Sequence, residues 1–479
     1  MTKHILTSSH VVPAEIERVW DFFSRAENLG RVTPRSMSFD IHTPEPSTEA
    51  GSTIDYTVRP LFGIPTKWRT LIDEVEAPHR FSDIQQQGPY KSWLHEHRFS
   101  EVEGGVRMDD RVEYEMPFGP LGALGHRMVV RAQLQHVFDF RATAIDNIFE
   151  PAGDPAGATP GTIAVAGGTG FVGGEIAREL RRRGRRVIVL SSRGESARGQ
   201  LPDDIEIRRA DVRDDASLMA ALQGVDELVI SLAFPGLPVE QPKKGYTFME
   251  VDAGGTQRLV AAGKQAGVRR LVYISGAGAG HDADKHWFRA KAVAEDAVRD
   301  SGMTWTIIRP TWVFGPGDVS LNRFLGFARA LPVVPMTNFG SQQLAPVYVR
   351  DVAALAADSL EADAAVGQTF EIGGPESMSM RDVLHRALDV AGIHKPLLPA
   401  PAFMVKLAAW PMRFLPNPPL SPDAVDFVNQ PATVDVGPLL AVMPRTLTRL
   451  EDGLATYLGR ERSTVSITSA SSEGAPAAA

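Results

Sequence analysis

Gly161-Thr-Ile-Ala-Val-Ala-Gly-Gly-Thr-Gly-Phe-Val-Gly173 is the stretch that decides how this chain is read. Residues 162–166 are a β-branched and alanine run, too short for a helix and bounded by glycines. That pattern predicts a buried parallel strand. Glycines follow at once, and beyond them Ile176, Ala177 and Leu180 recur at helical spacing. Strand, glycine turn and helix thus stand in the order a dinucleotide site needs. The glycines satisfy both Gly168-x-Gly170-x-x-Gly173 and Gly167-x-x-Gly170-x-x-Gly173. Glycine here turns the chain tightly, admits a pyrophosphate to the backbone N–H groups and brings helix close to strand. A cofactor cradle of Gly167, Gly168, Thr169, Gly170, Phe171, Val172 and Gly173 is expected, with a merely structural turn as the alternative.

Outward from the turn, residues 186–190 form a second strand ending in Ser191-Ser192-Arg193. A site selecting NAD would place Asp or Glu about 20 residues beyond the glycines. Here Ser192 and Arg193 take that place. An arginine can fork onto a 2′-phosphate and stack on adenine, so NADP is expected over NAD. The bland alternative is a solvated Arg193. A third strand at 205–211 sets Asp211 and Val212 where adenine could meet them. Strands at 227–231, 270–275 and 304–309 then alternate with helices at 216–222, 254–266 and 288–301. Repeated βα units specify an open, doubly wound parallel sheet of the Rossmann type, with ligands beyond the carboxyl ends of its strands.

The chain's 479 residues exceed what one core normally serves, so more than one domain is expected. A net charge of −8 gives no reason to expect nucleic acid. The absence of cysteine excludes disulfides, thiolate zinc sites and cysteine nucleophiles. The N-terminus has no apolar signal region and no span reaches bilayer length, so a cytoplasmic protein without a transmembrane segment is expected.

Residues 1–150 read differently. A strand at 4–12 leads through Pro13 to a helix with Ile16, Val19, Trp20 and Phe23 on one face. Short strands follow at 53–59, 68–75, 93–100 and 106–116. After the glycine-rich turn at 118–125 comes a long helix with Val130, Leu134, Val137, Phe138, Ile145 and Ile148 as its apolar stripe. This is an α+β pattern in which a curved sheet grips a helix. Val19-Trp20-Asp-Phe-Phe, Trp68-Arg-Thr-Leu-Ile, residues 80–90 and Trp93-Leu-His-Glu-His-Arg-Phe99 resemble the SRPBCC (START-like, helix-grip) family. The resemblance implies a hollow for an apolar ligand such as a lipid. Trp93, His95, His97 and Phe99 alternate and so face one side of their strand, as candidates to line it. A His-x-His pair could hold a metal, but the sequence identifies no third ligand and no metal is expected. Residues 151–160 are a small, polar, glycine- and proline-containing linker.

From residue 161 to 460 the landmarks resemble the short-chain dehydrogenase/reductase superfamily. They are the glycine turn, Asp211-Val212, Val251-Asp-Ala-Gly-Gly-Thr256, Tyr273-Ile-Ser275, Lys291, Ile308-Arg-Pro-Thr-Trp-Val-Phe-Gly-Pro-Gly-Asp318, Val347-Tyr-Val-Arg-Asp351 and Phe370-Glu-Ile-Gly-Gly-Pro375. The chain is most similar to atypical members related to an accessory subunit of respiratory complex I, which share the shape of the last hundred residues. The resemblance implies oxidoreductase chemistry, further cofactor contacts at Ala233, Lys291 and Pro310, and a small C-terminal substrate subdomain. It also implies Ser275 and Lys291 as catalytic residues, with a tyrosine four positions before the lysine. Four positions place two helical side chains about 40° apart on one face. That position holds Trp287. Indole is a donor without useful acid–base behaviour, so the usual proton transfer is in doubt. His286 and Tyr273 are the possible substitutes.

The leading expectation is an NADP-binding oxidoreductase acting on a hydrophobic small molecule. A non-catalytic NADP-responsive scaffold or a lipid carrier is the alternative. Residues 401–414 are unusually apolar and read as a core or lid helix, with peripheral membrane contact the other option. Residues 461–479 read as a disordered tail.

Overall fold

The computed structural model describes residues 2–34, 37, 39–59, 64–234, 240–331, 333–410, 425–426, 428–458 and 465–471. The chain divides into two compact units, one of Met1–Glu150 with 326–332 and 457–479, the other of 151–325 with 333–456.

In the first unit, strands β1 (Thr2–Val12), β2 (Phe39–Ile41), β3 (Thr53–Val58), β4 (Thr66–Glu76), β5 (Arg80–Gln87), β6 (Ser92–Val102) and β7 (Gly105–Glu115) form an antiparallel sheet. Its order is β2-β3-β4-β5-β6-β7-β1, and a terminal strand, Ser466–Ser471, pairs with β1. The expected disordered tail is therefore ordered over that strand. Alternation decides it: Ile467 is buried with Leu6, Val112, Tyr114, Leu134 and Phe138, while Ser466 and Thr468 face outward. Helix α1 (Ile16–Phe23) buries Ile16, Val19 and Phe22, and helix α2 (Arg131–Ile148) buries Leu134, Phe138, Ala144, Ile145 and Ile148. Both pack on one face of the sheet, around Phe81, Phe99, Val106 and Met108. The glycine-rich stretch before α2 is not a turn: Gly119–Gly125 is already helical and runs through a π-helical segment, His126–Val130, into α2.

The second unit is built on parallel strands β8 (Thr162–Ala166), β9 (Arg186–Ser191), β10 (Glu206–Arg209), β11 (Glu227–Ile230), β12 (Arg270–Ile274), β13 (Thr304–Pro310) and β14 (Gln368–Ile372). Their order is β10-β9-β8-β11-β12-β13-β14. The chain steps one way from β8 through β10, then crosses back to β11, so the order reverses between β8 and β11. All five residues of β8 are buried. Ile163 and Val165 face one apolar layer, which includes helix α3 (Phe171–Arg182), while Ala164 and Ala166 face the other, which includes helix α4 (Gly255–Ala266). Covered on both faces, the strand reads as a continuous apolar run. The third strand is shorter than its sequence suggests, because Asp211 turns its carboxylate back onto its own loop.

The apolar segment at 401–414 is not buried as a core helix would be. Ala402–Ala409 is a helix, but Phe403, Met404 and Leu407 are exposed. Residues 411–414 lie outside the described residues.

Candidate functional site at the carboxyl edge of the parallel sheet

β8 ends into the glycine turn, and Gly170 caps α3 in extended backbone, φ −85°. Gly167 has φ +77°, and a Cβ there would lie 2.3 Å from the Ser231 carbonyl oxygen at the end of β11. A Cβ on Gly173 would lie 2.4 Å from the Gly167 oxygen. Glycine is therefore obligatory at both, for a left-handed turn and for close helix–turn approach. The amide of Gly174 donates to the carbonyl of Gly170, which starts the intrahelical ladder. The amides of Phe171, Val172 and Gly173 are those a helix start presents to an anion. Phe171 is also packed closely by the backbone of Gly315 and Gly317.

The other cofactor candidates gather at this edge. Ser192 and Arg193 follow β9, both exposed. Asp211 and Val212 follow β10, and Ala233 follows β11 with an exposed side chain. Pro310 ends β13, buried. Asp211 is committed: its carboxylate takes Arg213 Nε at 3.2 Å and Nη2 at 3.0 Å, and the Arg213 guanidinium lies 5.0 Å from the Tyr246 ring centre. Arg193 makes no side-chain bond among those of the described residues; its backbone N–H donates to Ser191 Oγ at 3.3 Å and its carbonyl oxygen accepts from Ser196 Oγ at 2.9 Å.

The catalytic candidates are placed near one another, but their polar atoms are spoken for. Ser275, just past β12, donates its hydroxyl hydrogen to Glu295 Oε1 at 2.6 Å. Glu295 lies on helix α5 (His286–Arg299), fully buried, and is gripped by Arg309 through Nε at 2.8 Å and Nη2 at 2.6 Å, and by Arg299 at 2.7 Å. Burial opposes its charge, but Arg309, Ser275 and Arg299 hold its carboxyl below the usual range. The serine that the resemblance would aim at a substrate carbonyl is thus a member of a buried ion cluster. Glu295 was the missing partner, and nothing in its spacing from Ser275 announces it.

Lys291 is similarly held. Its ammonium donates to the Leu232 carbonyl oxygen at 2.8 Å, pairs with buried Asp252 at 3.0 Å and stands 5.4 Å from the Tyr273 ring centre. Burial opposes its charge, yet Tyr273 and Asp252 raise its pKa, so it stays protonated. Tyr273 itself is pushed up to about 12 by burial. A phenol that weak is a poor proton donor near neutral pH. His286, the other possible substitute, sits 41% exposed and 3.8 Å from Glu240. Trp287 is buried among Phe248, His286 and Phe288. It fills the tyrosine position as packing.

In the first unit, Trp93, His95, His97 and Phe99 share the inner face of β6, where each is packed by neighbouring side chains. Phe99 is core, packed by Trp20, Phe23 and Phe81. Trp93 packs against Trp68, Tyr90 and Tyr114. The two imidazoles are buried beside Asp83, Asp110 and Arg141. Asp83 is the third potential metal ligand that the sequence did not reveal. It lies directly across from His95 in the β5–β6 register.

A family model described as NAD(P)H-binding matches residues 167–326. The (4-alkanoyl-5-oxo-2,5-dihydrofuran-3-yl)methyl phosphate reductase of Streptomyces griseus is 33% identical over 229 residues, 46% of this chain and 70% of that protein. The chain belongs to the NAD(P)H-binding family. It is also 28% identical over 261 residues to the mitochondrial NADH dehydrogenase [ubiquinone] 1 alpha subcomplex subunit 9 of Arabidopsis thaliana. That match covers 53% of this chain and 63% of the relative, less than two thirds of its length. Among solved structures, UDP-glucose 4-epimerase of Thermus thermophilus in complex with NAD superposes with a TM-score of 0.50 at 22% identity, over 62% of this chain and 97% of that one. That likeness shows the fold: a Rossmann-like parallel sheet. The family model places an NAD(P)H-binding domain at residues 167–326. No helix among the described residues is long and apolar enough to cross a membrane.

Proposed function

We propose that the second unit is an NADP(H)-dependent reductase domain for a hydrophobic carbonyl or alkene compound. The observation that carries this reading is the glycine turn, whose two obligatory glycines open a helix start at the point where the strand order reverses. Gly167, Gly170 and Gly173 would hold the pyrophosphate, and Arg193 the 2′-phosphate. Bound nucleotide would supply a hydride. Ser275 and Lys291 position the floor of the site through Glu295 and Asp252 rather than handling a proton. The proton then comes from solvent or from the substrate's own acidic group, since neither Trp287 nor Tyr273 is suited to give it. The first unit, read as a helix-grip domain of the SRPBCC type, would bind an apolar ligand or lipid. A cytoplasmic location, with the exposed Phe403, Met404 and Leu407 touching a membrane surface, completes the reading.

A second reading, a non-catalytic NADP-responsive scaffold, is favoured by the same commitment of Ser275 and Lys291. Titration of the full chain with NADPH and NADH tests the shared premise: saturable binding with NADPH the tighter is expected. Lack of binding by both nucleotides would sink both readings. Turnover on a panel of hydrophobic carbonyls and enones separates them.

A further inference from the structure

The inner face of the first unit's sheet holds a polar cluster that the nucleotide site does not use. His95 and His97 stand side by side on β6, ring centres 3.8 Å apart. Asp110 lies opposite His97 on β7 and meets both rings. Its Oδ1 is 3.2 Å from His95 Nε2 and 2.6 Å from His97 Nδ1. Arg141 stands 3.7 Å from the same oxygen and keeps a counter-charge on it. Arg141 Nη2 also approaches His97 Nδ1 at 3.4 Å, but Asp110 is the nearer partner of that nitrogen. An ionised carboxylate only accepts, so the two ring nitrogens facing Asp110 carry the hydrogens. In neutral rings the far nitrogens, His95 Nδ1 and His97 Nε2, are then lone pairs. Each lies 3.7 Å from one atom, Asp83 Oδ2.

That spacing is too long for a hydrogen bond. Three electron-pair donors held face to face also repel one another unless something positive stands between them. A cation sets such a separation: ligand atoms about 2.0–2.2 Å from a tetrahedral ion lie about 3.3–3.6 Å from one another. The three donor atoms all fall within 4.8 Å.

We infer that Asp83, His95 and His97 form a site for a divalent transition-metal ion of the zinc type, with Asp110 as the positioning carboxylate that aims both imidazoles. Two imidazoles and one carboxylate suit Zn²⁺, Co²⁺ or Fe²⁺, and the chain has no cysteine to compete for them. Three protein ligands leave a coordination position open, as in sites that bind water or substrate. An outer carboxylate on each ring is the usual partner of a metal-bound histidine. Asp83 is 15% exposed at its side chain, which gives the ion an entrance. The competing occupant is a proton on one imidazole.

The test uses the full chain, stripped with a chelator and dialysed, then titrated with Zn²⁺ against a competing dye and with Co²⁺ by visible absorption. One ion per chain is expected, with Co²⁺ ligand-field bands of low coordination number. Asp83→Asn and His97→Gln should each weaken binding at least about tenfold, and Asp110→Asn roughly 10–100-fold, with circular dichroism unchanged. His126→Gln, at another buried histidine of this unit, should leave it unaltered. The site is refuted by the absence of saturable binding of both ions, by equal affinity in wild type and Asp83→Asn, or by loss on His126→Gln alone. If His97→Gln does not fold, Asp83→Asn, on a partly exposed side chain, decides.

Discussion

The two units put their polar groups in different places. In the parallel sheet of the second unit the inner strands β8, β9, β11 and β12 are buried on both faces, so chemistry is displaced to the carboxyl ends, where backbone amides and loop residues meet. In the antiparallel sheet of the first, Asp83, His95, His97 and Asp110 sit in mid-strand on the covered face, drawn from β5, β6 and β7. The first arrangement depends on absent side chains, the second on side chains that must satisfy one another in a dry interior. The second unit also contains a cluster of the latter kind, Ser275–Glu295–Arg309–Arg299, and the contrast turns on whether it is structure or chemistry.

Glu295→Gln is the most severe way to ask. It leaves Arg309 and Arg299 partly unpaired beside a buried amide, and removing one partner of a buried ion pair costs about 3–5 kcal/mol. Urea unfolding of the second unit should show that loss. Ser275→Ala removes one bond to an acceptor that keeps its arginines, so about 1–2 kcal/mol is expected. NADPH affinity and any turnover should be unchanged. If Ser275→Ala instead abolishes turnover while stability holds, the serine is catalytic and the structural assignment fails.

Gly173→Val attacks the other principle, that the turn works through missing side chains. Its Cβ would overlap the Gly167 carbonyl oxygen, so the turn or the helix start must move. Nucleotide affinity should fall about 100-fold, some 2.7 kcal/mol. Isothermal titration with NADPH measures it. Retained affinity would mean that the nucleotide does not rest on this turn. Arg193→Glu is milder: it should cost about tenfold in NADPH affinity through loss of a charge-assisted bond, and leave NADH within a factor of two or three. Equal losses for both nucleotides would point to a general electrostatic effect and not to a 2′-phosphate.

What could be read from the sequence follows the same division. A strand, a glycine turn and a helix are contiguous, so the strand–turn–helix that opens the second unit's parallel sheet was legible from some thirty residues. The partners that disarm Ser275 and Lys291 were not: Glu295 is 20 positions from Ser275, and Asp252 is 39 from Lys291. Packing of α5 beside β12 joins Glu295 to Ser275, and packing of α5 against the helical segment Met249–Gly254 joins Lys291 to Asp252. In the first unit, two-residue alternation exposes His95 and His97 as a pair, but Asp83 and Asp110 join them through strand register, which no local pattern specifies. The ordered end strand was missed for another reason. Serine and threonine dominate residues 462–472, and Ile467 with its alternation was too brief a signal to outweigh them.

The first unit's buried histidines also make the comparison sensitive to pH, and this effect should be the smallest. His126 stacks on His4 with ring centres 3.7 Å apart and bonds the Tyr114 hydroxyl at 2.8 Å, while His4 Nδ1 meets Ser469 of the terminal strand at 2.9 Å. Burial, then His4 and Arg131, push His126 down from 6.5 to about 4, and burial with Arg131 lowers His4 as well. A histidine whose pKa is depressed on folding favours the neutral form in the native state. Its contribution is therefore complete above pH 6.5 and is lost as pH falls toward 4. The urea midpoint of the first unit should decline over that window, and the terminal strand should lose amide protection first, because His4 anchors it. His126→Phe keeps the stacking and removes the titration, so its profile should be flatter. A decline of the same size in His126→Phe would assign the acid sensitivity to other buried histidines of the unit, such as His95 and His136, both lowered by burial.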